Sequence, residues 1–194
     1  VRFDDAGFWR VVLTAEVEGE TLTAETAFGV NAEHQVPAIG DRAPDVAQPT
    51  AGTPGVDPKS IDSRARDGEF PDPHLHSTTV NDALAAGRPV LVVVSTPVYC
   101  VSRFCGPITD AVADLADTYG DRAAFVHIEV WQDFEAKAVN PAARAWMAKD
   151  PANQNLTEPW VFLVGADGVI MHRWDNVATV AEMTAALEAL PPGT

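Results

Sequence analysis

Cys100 and Cys105 are the only cysteines of the chain, and both lie in Ser95-Thr96-Pro97-Val98-Tyr99-Cys100-Val101-Ser102-Arg103-Phe104-Cys105-Gly106-Pro107. An apolar run, Pro89 to Val94, precedes them and a helical pattern follows, so they fall where a strand hands over to a helix. The N-terminus of a helix offers unpaired N–H groups and a positive dipole end, both of which favour a thiolate over a thiol. Open α/β sheets also carry their sites at the carboxyl ends of strands. The chemistry within reach is thiol–disulfide exchange. Spacing adds a condition: Cα atoms five residues apart in a helix are about 8 Å apart, beyond the ~7 Å that a disulfide spans. A bridged pair therefore predicts a loop between the cysteines, with regular helix beginning near Gly106 or Pro107. The same pair also fits a static staple, which for so short a loop contributes roughly 2 kcal/mol.

The elements that must position this segment are legible on either side. A short helix is expected between Thr79, with Asp82 three residues on, and Gly87. After the cysteines come a helix to Tyr119, with Ile108, Val112, Leu115 and Ala116 on one face, and a strand from Ala124 to Val130. Asn140-Pro141 caps and opens a helix to about Lys149. Strand Trp160–Val164, turn Ala166-Asp167-Gly168, strand Val169–Trp174 and a helix from Val180 to Leu190, opened by a Thr179/Glu182 capping box, complete the chain. This order puts a mixed sheet between helices in residues 73–194. Ahead of it, residues 37–72 are rich in proline and glycine and read as a linker partly extended over a surface, and residues 1–36 read as a β-hairpin turning at Glu18-Gly19-Glu20. Such a hairpin packs on a second module or pairs its edges with another copy, giving a homodimer.

Arg88 to Val92, the cysteines, Cys105-Gly106-Pro107, Thr157-Glu158-Pro159-Trp160-Val161-Phe162-Leu163-Val164 and Asp167-Gly168 together resemble the thioredoxin superfamily over about 120 residues. The resemblance implies a three-layer α/β fold with a central mixed sheet, and a redox pair in Cys100 and Cys105. It makes Pro159 the cis-proline that packs beside the redox sulfur and holds the substrate chain, with Glu158 and Trp160 as neighbours. More narrowly, the chain resembles extracytoplasmic bacterial thioredoxin-like proteins with a Cys-x-x-x-x-Cys-Gly-Pro segment, often behind a sandwich domain. The lead-in Phe3-Asp4-Asp5-Ala6-Gly7-Phe8-Trp9 is similar to the last strands of bacterial immunoglobulin-like sandwiches, so the hairpin reads as a remnant of one. Departures from thioredoxin are specific. Ile108 stands where the resolving cysteine belongs, and Val93 stands where that family has a buried proton-carrying aspartate; Glu158 could replace it or be an exposed loop carboxylate. Cys105 matches the thioredoxin nucleophile and Cys100 the peroxidatic one, and the choice stays open.

Thr96-Pro97 ahead of Cys100 is also similar to the peroxiredoxins, in which one cysteine attacks peroxide and a second resolves the sulfenic acid. Thr96 and Arg103 would then be the activating groups, though Thr96 lies four rather than three residues ahead of Cys100. Copper delivery would need a histidine, and His172 falls inside a strand. A thioredoxin-fold interaction module with a structural disulfide is the non-catalytic alternative.

Composition narrows the classes. With a formal net charge of −15, the surface repels nucleic acid and anionic lipid. No apolar run approaches the ~20 residues of a membrane span. Val1 opens within a strand-like pattern, which leads to the expectation of a processed chain, secreted or tethered to a membrane by a segment outside it. His74 and His76 share a spacing but lack further ligands and read as surface residues. The tryptophans read as core, with Trp160 a candidate groove wall. The expectation is thus an extracytoplasmic thiol–disulfide oxidoreductase without cofactor or metal, acting on protein or small-molecule thiols and disulfides.

Overall fold

The computed structural model describes residues 3–191. The chain forms two compact units, 1–35 and 36–194.

In the first unit, strands β1 (Gly7–Val17) and β2 (Glu20–Val30) pair antiparallel in one unbroken register from Gly7↔Val30 to Val17↔Glu20. Glu18 and Gly19 both take positive φ, 52° and 85°, as a two-residue turn matched to the twist of the strands requires. Phe3 packs edge-on against Trp9 and Phe28.

The second unit is built on a four-stranded sheet. Its elements in chain order are α1 (Val80–Ala85), β3 (Val90–Ser95), α2 (Cys105–Tyr119) and β4 (Ala124–Glu129), followed by the small hairpin β5 (Trp131–Asp133) and β6 (Ala138–Val139). Helix α3 (Pro141–Met147), β7 (Trp160–Val164), β8 (Ile170–Asp175) and α4 (Val180–Glu188) complete it. The sheet order is β4-β3-β7-β8, with β3 parallel to β4 and antiparallel to β7.

Alternation divides the side chains between two cores. Val90, Val92, Val94, Val126, Ile128 and Phe162 point to the face covered by α1 and α3. Leu91, Val93, Phe125, Val161 and Leu163 point to the face covered by α2 and α4. Strands buried on both faces read as continuous apolar runs, which is why β3 and β7 were visible without any alternation. The result is the thioredoxin-like three-layer arrangement.

Local signals place the helices. Thr79 accepts from Asp82 N at 3.0 Å, Asn140 from Ala142 N at 3.0 Å ahead of Pro141, and Thr179 forms the capping box with Glu182. Helix α3 ends at Met147, two residues before the expected Lys149.

Residues 37–72 carry no helix beyond the 3-10 turn Pro58–Ser60, yet they belong to the same compact unit as the sheet. Gly40 N and Ala43 N donate to Ile170 O and Gly168 O, and Gln48 donates to Thr78 O. Ala38, Gln48, Ser60, Ile61, Asp62, Ser63 and Ala65 are buried. Specific polar contacts between the prolines, rather than a periodic apolar face, hold this segment down. His76 departs from its reading as a surface residue: it is buried, whereas His74 is exposed.

Candidate active site

Strand β3 ends at Ser95, whose hydroxyl lies 2.7 Å from Thr109 Oγ1; Thr109 in turn donates to Cys105 O at 2.8 Å. The strand end and the first turn of α2 are thereby tied together. Between them, residues 96–104 form a loop, with Cys100 N donating to Thr96 O and Phe104 N to Ser102 Oγ. The loop brings the two cysteine Cα atoms to 6.3 Å, and Cys100 and Cys105 are joined in a disulfide. Helix α2 starts at Cys105 itself, one residue ahead of the expected start. Cys105 is fully buried and Cys100 only partly so. Val98, Val101 and Phe104 stand exposed around them.

Glu158 and Pro159, joined by a cis peptide bond, approach from the β7 side. A Glu158 carboxylate oxygen and both sulfurs lie within 4.8 Å of one another. Its Oε2 is buried with no hydrogen-bond partner. Burial, reinforced by the nearby Glu129 carboxylate, pushes the Glu158 carboxyl up to about 7. Glu129 ends β4 opposite Ser95 and accepts from Ser63 N at 2.8 Å and Trp131 N at 3.3 Å. Burial outweighs those donors and pushes Glu129 to about 7 as well. Glu158 also lines a cavity of about 310 Å³ with Trp131, Lys137, Arg144 and Leu156.

The other sequence candidates lie as follows. Pro159 is buried, and its carbonyl accepts from Asn176 N. Trp160 is 6% exposed, packs in the α1/α3 core and donates its indole N–H to Thr157 O at 2.7 Å, so it is a core residue rather than a groove wall. Thr96, the first residue of the loop, is buried. Arg103 is exposed, with its guanidinium over the Phe104 ring at 5.7 Å. His172 stacks on Trp174 in β8 and is not among the groups gathered at the sulfurs.

Sequence reasoning missed Glu129. Its signal was a carboxylate between Ile128 and Val130, at the end of a strand whose residues are all buried, where an ionisable side chain needs a reason to be present.

No family model matches the chain, and no curated protein matches it. Among solved structures it is similar to that of a "putative Thiol:disulfide interchange protein DsbE from Chlorobium tepidum", at 16% identity and a TM-score of 0.45, covering 78% of this chain and 99% of that one. Similarity at that level says nothing about chemistry, and the functional reading below rests on the residues themselves.

Proposed function

We propose that the chain is an extracytoplasmic thiol–disulfide oxidoreductase that cycles the Cys100–Cys105 pair. The observation that carries this reading is the Glu158 carboxyl, one oxygen of which is buried without a partner, with a carboxylate oxygen within 4.8 Å of both sulfurs of a disulfide at a strand–helix junction. A static staple has no use for a proton-holding group at its sulfurs, and burying one without a partner is unfavourable.

The difference in burial between the two cysteines supports a division of roles. In the reduced protein the partly exposed Cys100 thiolate attacks a substrate disulfide, forming a mixed disulfide and releasing one substrate thiolate. Cys105 then loses its proton to Glu158 and attacks Cys100 Sγ. The internal disulfide forms, the second substrate sulfur leaves as thiolate, and two electrons have passed to the substrate. The reverse sequence oxidises a dithiol. Pro159, next in the chain to Glu158, would help to hold the substrate chain, and the exposed Val98, Val101 and Phe104 would offer it an apolar rim. An internal disulfide between the only two cysteines fits an oxidising compartment.

The test is insulin reduction with dithiothreitol as donor. The parent protein should accelerate it, Cys100→Ser should abolish the effect, and Cys105→Ser should accumulate a mixed disulfide through Cys100. Equal activity of both serine variants and the parent rejects the proposal.

A further inference from the structure

A second group of chemically competent side chains lies apart from the disulfide. Asp62, from the segment after the first 3-10 turn, His76, from the 3-10 turn Pro73–His76, and His127, from β4, come together with side chains that are all 0% exposed. Asp62 Oδ2 lies 3.2 Å from His76 Nε2 and 3.8 Å from His127 Nδ1. One ligand atom from each residue lies within 4.8 Å of the other two.

Hydrogen bonding fixes the state of His127. Its Nε2 is 3.1 Å from Ser95 O, and a carbonyl only accepts, so Nε2 carries the proton. In the neutral ring Nδ1 is then a bare lone pair, buried and without a donor. It confronts a carboxylate oxygen, another acceptor, at a separation that a hydrogen bond does not span. Something larger than a proton suits this gap. A tetrahedral ion with bonds of about 2.0–2.1 Å sets neighbouring ligand atoms roughly 3.3 Å apart, close to the 3.2 and 3.8 Å observed. A histidine whose other ring nitrogen donates to a backbone carbonyl is also the usual arrangement of a metal-bound imidazole.

Valence and charge agree. Asp62 has about four lone-pair positions. The Arg64 backbone N–H and Nε donate to Oδ1, and Nη2 at 2.8 Å donates to Oδ2, which Nε also approaches at the longer distance of 3.3 Å; one position on Oδ2 is left for the histidine side. Arg64 also pairs with Asp72 at 2.7 Å and Asp110 at 2.8 Å. Three carboxylates on one guanidinium leave two negative charges, the complement of a dication.

We propose that Asp62, His76 and His127 form a structural site for a divalent cation of the zinc type, with water in the fourth position. It would clamp residues 57–76 onto β4 at the level of Ser95. This inference does not rest on the redox proposal.

The test uses the full chain with its disulfide oxidised, so that no thiol can bind metal. The protein is unfolded with chelator, refolded with an approximately tenfold excess of zinc chloride, gel-filtered, and assayed for zinc by mass spectrometry. About one zinc per chain is expected, with a rise in Tm over protein refolded without metal. Cobalt in place of zinc should give a visible d–d absorption. His76→Gln and His127→Gln should each lose the metal, the cobalt band and the Tm rise while keeping insulin reduction near the parent rate. Zinc below about 0.1 per chain in folded parent, or equal stoichiometry in parent and variants, overturns the proposal. Should either variant fail to fold, the parent alone decides: a Tm indifferent to zinc overturns it.

Discussion

Replacing Glu158 by glutamine removes one ionisation and preserves shape. In the unfolded chain this carboxyl releases its proton near 4.5; in the folded protein it holds it to about 7. Between those values the folded state binds one more proton than the unfolded state, so stability falls as pH rises through the window. At about 1.4 kcal/mol per pH unit the full difference is roughly 3 kcal/mol, and partial solvent screening brings the expected value to about 2 kcal/mol. Glu158→Gln should therefore match the parent at pH 5 and exceed it by about 2 kcal/mol at pH 8.5, measured by urea unfolding of both oxidised proteins. The same variant should slow insulin reduction by about a hundredfold, because the proton acceptor for Cys105 is gone. A stability difference that is the same at both pH values would refute the reasoning. It would mean that the carboxyl ionises freely in the folded state and stores no proton for the sulfurs.

Arg64→Ala leaves Asp62, whose carboxylate is held well below its ordinary range with the help of His76 and Arg64, as a buried charge without its principal counter-ion. A loss of about 3 kcal/mol or more is expected in urea unfolding at pH 7, and a loss under about 1 kcal/mol would show the pair to be dispensable. Thr179→Ala removes the donor and acceptor of the α4 capping box. It should cost about 1 kcal/mol, or roughly 2–4 °C in Tm, without changing insulin reduction, both read on the oxidised protein.

The elements legible in the sequence were those whose signal is local. β3 and β7 are unbroken apolar runs, α3 and α4 announce themselves through Asn140-Pro141 and Thr179/Glu182, and Glu18-Gly19 is a short-range turn signal. The cysteine loop followed from one distance argument. What stayed hidden depends on long-range contacts. Ser63 N reaches Glu129 across 66 positions, and Asp62 meets His76 and His127 only because residues 37–72 fold back on the sheet. No spacing rule joins residues so far apart, so Glu129 looked like any strand residue and His76 like a surface one. Glu158 lay between the two cases. Its place beside Pro159 was readable, but its nearness to the two sulfurs arises only in the folded chain.

The four-residue insert between the cysteines separates two properties that a shorter motif combines. Accessibility belongs to Cys100, out on the loop, whereas the positive end of α2 belongs to Cys105, its first residue. When an external thiolate attacks Cys100 in the disulfide, the departing sulfur is Cys105, and the helix terminus favours the charge it acquires. Protonated Glu158 can then neutralise that sulfur, which burial would otherwise destabilise as a thiolate. On the proposed cycle, opening the disulfide is thus assisted at the leaving group rather than at the nucleophile. With its proton held to about 7, Glu158 would supply the proton in this step of the proposed cycle and take it back when Cys105 attacks. On the proposed cycle one carboxyl serves both directions of exchange, as the acid in one and the base in the other.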